Sequence, residues 1–593
     1  MYNSRIKKLQ ERLIKDNLKA YIIRSGDPHL SEYVADRYKA ERLFYCPFTG
    51  SNGTLLITRD SAYLYTDGRY FIQAEKELEG TIIQLVKENT PGVLPIQDFI
   101  RTNGLYPLGM NISLFSNNEL SKFQRDKESV FDVDYSVLIP NIPQLPLDTI
   151  WQVSDTLLSD TIHERVNKVL EQIKKVGADC TLISSLDDVA YILGCRGNDI
   201  QYTPVFYSFL YLDIYGNIDL FIDPRKLPDS FYLKINYHPY DKLLSFIEER
   251  ENNLFSIDPE RTNARLVRKI KNKVFQTSPA FINKSVKGPV EIRKSKEAQA
   301  HDALKFVKLQ KFIDDNFASG TLDEYTIARY IDKLREDDYK CFSNSFQTIV
   351  GIDSNSAMMH YAPSPEGSRK VTDKTQVILV DSGGHYYGGT TDITRTFIVN
   401  PNPLREIVND YTLTLKSNIA LSKVVFQEGC TGQSLDLAAR SIMWNKGLDY
   451  KCGTGHGVGY MLCVHEGPVS FRFTPGPSER DAILKPGHII TDEPGVYKEG
   501  RYGIRLENEL LVRNAFKLET PEEQKQVQGT FFSFETITYV PFDIRGINIS
   551  LLTDEELEII NKYHERVCNI LLPLCDSPEL ASYLRKITIK LTR

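Results

Sequence analysis

The chain has 593 residues, of which 41% are hydrophobic and 25% charged, with a formal net charge of −6. That composition belongs to a soluble globular protein, and the length exceeds one ordinary core, so two to four domains are expected. The mild negative charge excludes the basic surface that nucleic acids or anionic membranes require, and no stretch approaches the roughly 18 to 20 apolar residues of a membrane helix.

The amino terminus reads as an amphipathic helix carrying Leu9, Leu13 and Leu18 among charges, without the apolar core and cleavage site of a secretory signal. A first block is expected over 1–155. It has strands at 20–23, 53–58 and 62–66, a helical piece at 71–78, and an extended linker between Pro140 and Pro146, where proline fixes φ. A second block, 156–288, repeats the order: a helix at 159–176, a strand at 180–184, a helical piece at 185–193, then strands at 208–213 and 218–223. No close internal repeat accompanies this, so two related α/β domains are expected on pattern alone. The third block, 289–593, opens with helices at 292–317 and 322–337. It continues strand-rich, with helices at 403–426 and 432–446. A last helix at 553–575 is capped by Thr553 with Glu556 three residues on, a capping box.

Nine cysteines, scattered without a Cys-x-x-Cys pair, form neither a disulfide framework nor a zinc knuckle and fit a reducing compartment. The expected location is cytoplasmic.

Five potential metal ligands fall in order in the third block. Asp381 closes the apolar run Val377-Ile378-Leu379-Val380 and is expected at a strand end. Asp392 lies in a β-branched stretch suited to a strand, His456 is wrapped in glycines that allow a ligand close to backbone, Glu493 precedes the turn pair Pro494-Gly495, and Glu507 follows the strand-like Gly503 to Leu506. Singly, each reads as a solvated turn residue or a structural histidine. Together, four carboxylates and one imidazole are too few for two separate closed sites. With carboxylates bridging, they suit two divalent ions sharing a water. Such an oxygen-rich set favours Mn, Co, Fe(II) or Zn over Cu.

The segments Val380-Asp381-Ser382-Gly383, Gly389-Thr390-Thr391-Asp392-Ile393-Thr394-Arg395-Thr396, Gly453-Thr454-Gly455-His456-Gly457-Val458-Gly459, Val464-His465-Glu466-Gly467-Pro468, Asp492-Glu493-Pro494-Gly495 and Gly503-Ile504-Arg505-Leu506-Glu507-Asn508 resemble the signature of aminopeptidase P, the Xaa-Pro aminopeptidases with the pita-bread catalytic fold. Segments around His29, Phe48 and Thr66 resemble the first domain of its long, three-domain cytosolic type, and Arg196-Gly197-Asn198-Asp199 resembles the second. The resemblance implies two related amino-terminal α/β domains before a pita-bread catalytic domain with a carboxy-terminal helical extension. The implied enzyme is a dinuclear-metal aminopeptidase that hydrolyses the amino-terminal Xaa-Pro bond through a metal-bridging hydroxide.

By this resemblance, Asp381 binds one metal bidentately, Asp392 and Glu507 bridge both, and His456 and Glu493 complete the other. Manganese is the first choice, with zinc or cobalt as alternatives. Glu493 also shuttles the proton to the leaving nitrogen. His360 and His465 match histidines that hold the substrate and its oxyanion. Arg505, two residues before Glu507, is expected to face the same way and order the carboxylates, and Arg69 matches an arginine that reaches the substrate. The chain departs from the family at Cys452, where a histidine usually lies by the pocket for the penultimate proline. The smaller, less polar thiol puts strict proline selectivity in question. The implied partners are peptides with proline second, without nucleic acid or membrane, and a second copy of the chain in a homodimer. Two alternatives stand beside this reading: a prolidase-like Xaa-Pro dipeptidase, disfavoured by the extra second domain, and a non-catalytic pita-bread binding protein, disfavoured because all five ligands are present.

Overall fold

Alternating apolar runs and turn residues in the first 283 residues build two sheets with one topology. In the computed structural model, which describes residues 1–593 apart from 127, 230, 232, 475–481 and 517–526, the first sheet places its strands in the order Ile83–Lys87, Ala62–Thr66, Thr54–Thr58, Ala20–Arg24, Leu108–Met110, Val130–Asp132. The second runs Asn236–His238, Ile218–Ile222, Ser208–Asp213, Cys180–Ile183, Phe255–Ile257, Lys273–Phe275. Across either sheet the pairings read parallel, antiparallel, antiparallel, parallel, parallel. Each opens with an amphipathic helix, Tyr2–Lys15 or Ile162–Lys175. The latter starts at a Thr161–Glu164 capping box and buries Val166, Val169, Leu170 and Ile173 at helical spacing. The duplication invisible in the residues is therefore plain in the strand order. Both sheets belong to one compact unit, 1–153 with 160–283, and residues 154–159 with 284–593 form the other.

In the second unit, two helix pairs each cover one antiparallel sheet. Pro289–Asn316 and Glu324–Glu336 bury Phe306, Val307, Ile327 and Ile331 against Val350, Ile378, Val380 and Phe397 of the sheet Ile349–Ile352, Val377–Ser382, Ile393–Ile398. Arg405–Ser422 and Gly432–Trp444 likewise pack Leu421, Leu435 and Ala439 on Phe471, Ile490, Leu510 and Phe534. That sheet runs Val425–Gln427, Phe531–Thr536, Asn508–Asn514, Ile489–Asp492, Gly455–Gly457, Glu466–Phe471. Strand Val377–Ser382 is buried along its whole length, which accounts for its unbroken apolar run.

Three boundaries differ from expectation for local reasons. The helix expected to 426 stops at Ser422, because Val425–Gln427 pairs with Phe531–Thr536 as an edge strand. The helix expected to 575 ends at Leu571, where Pro573 permits only a 3₁₀ turn, although its Thr553–Glu556 capping box forms. Asp392 lies one residue outside its strand, which begins at Ile393. None of the nine cysteines is in a disulfide, and among the described residues no helix is long and apolar enough to cross a membrane.

Candidate metal centre

Each of the five acidic or imidazole groups stands where a strand begins, ends or is interrupted. Asp381 is the penultimate residue of Val377–Ser382, and Asp392 directly precedes Ile393–Ile398. His456 is the middle residue of Gly455–Gly457. Glu493 falls in the two-residue link between Ile489–Asp492 and Gly495–Lys498, and Glu507 in the link between Tyr502–Arg505 and Asn508–Asn514. Their side chains converge. Ligand-type atoms of Asp381, Asp392 and Glu507 lie within 4.8 Å of one another, as do those of His456, Glu493 and Glu507, and those of Asp392, His456 and His465. Three overlapping triads that share Asp392, His456 and Glu507 describe one cluster with two centres.

The glycines around His456 make room for neighbouring strands. A Cβ at Gly455 would sit 1.8 Å from the Thr491 carbonyl oxygen, and one at Gly457 2.2 Å from that of Glu466. They let those strands close on the histidine. His456 Nδ1 lies 2.9 Å from the Gly457 carbonyl, which can only accept. The ring therefore donates from Nδ1 and turns Nε2 towards Asp392 Oδ2 at 3.4 Å and Glu493 Oε1 at 3.6 Å, where it donates to the carboxylates when protonated and offers its lone pair to a cation when neutral.

Burial pushes Asp381, Glu493 and Glu507 above the ordinary carboxylate range, with the mutual repulsion of the cluster adding to it. His456 moves the same way: burial lowers it, but its hydrogen bond to Asp392 and the charge of Glu493 outweigh that and raise it to about 9. Asp381 Oδ1 and Glu507 Oε1 are buried with no hydrogen-bond partner. Four clustered carboxylates, two of them with an unpartnered buried oxygen, cost free energy unless cations neutralise them, so the residues fit divalent ions.

Arg505 meets the cluster directly. Its guanidinium donates to Asp381 Oδ2 (2.6 Å), Thr394 Oγ1 (3.1 Å), Tyr497 OH (2.8 Å) and the Met359 carbonyl (3.3 Å), and the Thr394 hydroxyl in turn donates to Glu507. The bond to Met359 ties the loop carrying half-buried His360 to the carboxylates. His465 directly precedes strand Glu466–Phe471, with its ring perpendicular to that of His456 at a centroid distance of 4.3 Å. Cys452 packs beside Met443, Tyr450, Val496 and Tyr497. Arg69 lies in the other compact unit, forked onto Asp67 at 2.8 Å through both Nε and Nη2.

Two supporting residues escaped the sequence reading. Thr394 Oγ1 donates to Glu507 Oε2 at 2.7 Å, and Glu509 Oε1 accepts the Asp392 backbone N–H at 2.9 Å. Each lies two positions beyond a candidate ligand, a strand-period signal that could have flagged them.

Comparison with known proteins places this geometry. Residues 293–514 match metallopeptidase family M24, and 530–591 match the C-terminal region of peptidase M24. Residues 5–138 and 141–291 each match a creatinase/prolidase N-terminal domain. The chain is 31% identical over 605 residues to Xaa-Pro aminopeptidase 1 of Dictyostelium discoideum, covering 97% of this chain and 94% of that protein. It is 33% identical over 617 residues to aminopeptidase P2 of Arabidopsis thaliana, covering 95% and 85%. A crystal structure of X-prolyl aminopeptidase from Caenorhabditis elegans, described as a cytosolic enzyme with a di-nuclear active site, superposes with a TM-score of 0.90 at 29% identity, covering 100% of this chain and 99% of that one.

Proposed function

This chain belongs to the Xaa-Pro aminopeptidases of metallopeptidase family M24, and from that premise we propose that it releases the first residue of peptides whose second residue is proline, using two divalent ions held by Asp381, Asp392, His456, Glu493 and Glu507. The observation that carries the reading is the convergence of these five groups with buried oxygens left unpartnered. Two divalent cations held there would supply Lewis acidity and activate a water for attack near neutral pH.

The chain's own groups do the rest. Glu493 takes up the proton of the attacking water and returns it to the proline nitrogen as the peptide bond breaks. Proline leaves as a secondary amine whose peptide nitrogen carried no N–H, so the site needs no acceptor for that donor. His360 and His465 donate to the oxyanion that develops on the scissile carbonyl. Arg505 holds Asp381 and the His360 loop in one frame, so carboxylates and oxyanion donors keep their spacing.

The metal is proposed to be manganese, the location cytosolic and the assembly a homodimer. An exposed apolar patch of Leu437, Trp444 and Phe473, with the Trp444 and Phe473 rings 5.5 Å apart, supports association of two copies.

The test is hydrolysis of Arg-Pro-Pro and Arg-Ala-Ala by manganese-reconstituted protein, read by mass. Release of arginine from the proline peptide alone, abolished by chelator, is the expected outcome. Cleavage of both would remove proline selectivity. Cleavage of neither, by folded and metal-loaded protein, would remove the enzyme.

A further inference from the structure

Behind the two aspartates lies a buried charged network that touches neither of them directly. Asp302, in the middle of Pro289–Asn316, is 0% exposed, and Arg335, at the end of Glu324–Glu336, is 1% exposed. The guanidinium forks onto the carboxylate, Nε to Oδ1 at 2.8 Å and Nη2 to Oδ2 at 3.1 Å. Asp302 also accepts from Tyr386 OH and from Thr391 Oγ1, each at 2.7 Å. The remaining nitrogen of Arg335 donates to Ser382 Oγ, which shares a further hydrogen bond with Thr348 Oγ1 at 2.7 Å. Thr391 Oγ1 in turn accepts the Gly384 N–H at 2.8 Å.

The two anchor points are adjacent to the candidate ligands. Ser382 follows Asp381, and Thr391 precedes Asp392. Between them the chains touch: a Cβ at Gly383 would lie 1.8 Å from the Thr391 carbonyl oxygen. A buried ion pair contributes little stability compared with apolar side chains of the same volume. Stability alone therefore does not account for a guanidinium and a carboxylate buried here with every donor and acceptor directed at named partners. Their placement does: one ion pair on two helices grips both strand segments that deliver the aspartates.

We propose that Asp302 and Arg335 are positioning residues that set the separation and orientation of Asp381 and Asp392, acting through Thr391 and Ser382. This rests on the reading of those aspartates as metal ligands. Because the network is rigid and satisfied, it holds the aspartates at their spacing before any ion arrives, against their mutual repulsion.

The experiment is calorimetric titration of Mn²⁺ into chelated, metal-free full-length protein. Thr391→Val keeps the shape and removes the donor to Asp302. It is expected to weaken Mn²⁺ binding about 10- to 100-fold, and Thr391→Ser is expected to restore it. Thr412→Val removes an equally buried hydroxyl of the same unit, far from these contacts in sequence and bonded to Val408 and Gly546 carbonyls, and is expected to leave Mn²⁺ binding unchanged. Ser382→Ala tests the Arg335 arm should Thr391→Val fail to fold, with the same expected weakening. Wild-type affinity in the Thr391→Val and Ser382→Ala proteins overturns the proposal, as does equal weakening in Thr412→Val. Failure of the wild-type protein itself to take up Mn²⁺ overturns instead the assignment of the metal ligands.

Discussion

Arg505 bonds four partners in four separate segments: the candidate ligand Asp381, a β-strand threonine, a hairpin tyrosine and the carbonyl beside His360. Only a planar fork can reach them all, and an ammonium cannot. Arg505→Lys is therefore expected to lower kcat about 10- to 100-fold at saturating metal and to weaken metal binding, because a group that orients ligands has been cut. Steady-state kinetics alongside a metal titration checks both. Cys452 poses the opposite question, since a small thiol stands beside Tyr497, the ring that receives the Arg505 donor. If the missing imidazole leaves the proline pocket wide, Cys452→His should raise the ratio of kcat/KM for Arg-Pro-Pro over Arg-Ala-Ala roughly tenfold, the scale on which one pocket group discriminates. An unchanged ratio would show that selectivity is set elsewhere. The candidate ligands were legible as residues because Asp381 and Glu507 close strand-like runs, Asp392 interrupts a β-branched one, Glu493 precedes a turn pair and His456 stands among glycines. Thr394 and Glu509 carried only their two-residue spacing from Asp392 and Glu507, because a threonine or glutamate on a strand bears no other mark of what it will face.

At the scale of elements, the catalytic half is held to its own amino-terminal segment by a buried ion pair. Lys287, directly before the helix Pro289–Asn316, donates its ammonium to Glu466 and to the Ser285 carbonyl. Side-chain exposure is 1% for Lys287 and 2% for Glu466. Glu466 begins the strand that follows His465, so the pair fixes the base of that histidine as well as the segment. Lys287→Met strands a carboxylate in the interior and is expected to cost about 3–5 kcal/mol of stability in denaturant unfolding. Adding Glu466→Gln should recover much of that loss, because the orphaned charge is gone. Elements themselves were readable where pattern and capping agreed, as at Ala62–Thr66, Ser208–Asp213 and the Thr553 cap. They were misread where a partner strand decided: 425–427 continues a helical pattern, yet pairs with Phe531–Thr536.

For the whole molecule, two buried histidines set an acid limit on stability. Burial lowers His488 to about 3, with Lys287 and Lys485 adding to the effect, and lowers His564 to about 4, with Arg395 adding. In the unfolded chain both titrate near 6.5. A depressed folded value means that the stabilisation is complete above about 6.5 and is lost as pH falls towards 4, because the unfolded chain binds the protons first. At pH 5 each histidine then costs about 2 kcal/mol relative to pH 7.5. Metal-loaded protein should show this in denaturant midpoints, and His564→Gln should flatten the fall by that amount. The sequence by itself determined the three-block order, the five ligand-type residues and their spacing, because charges, glycines and prolines interrupt apolar periodicity locally and leave a linear record. Only the tertiary structure decided that the two amino-terminal sheets share one topology, that the His456 glycines serve strand contact, and that Asp302, Arg335 and Lys287 lie behind the site. Those facts depend on which distant backbones meet, and in a linear chain a buried ion pair on a helix reads the same as two solvated charges.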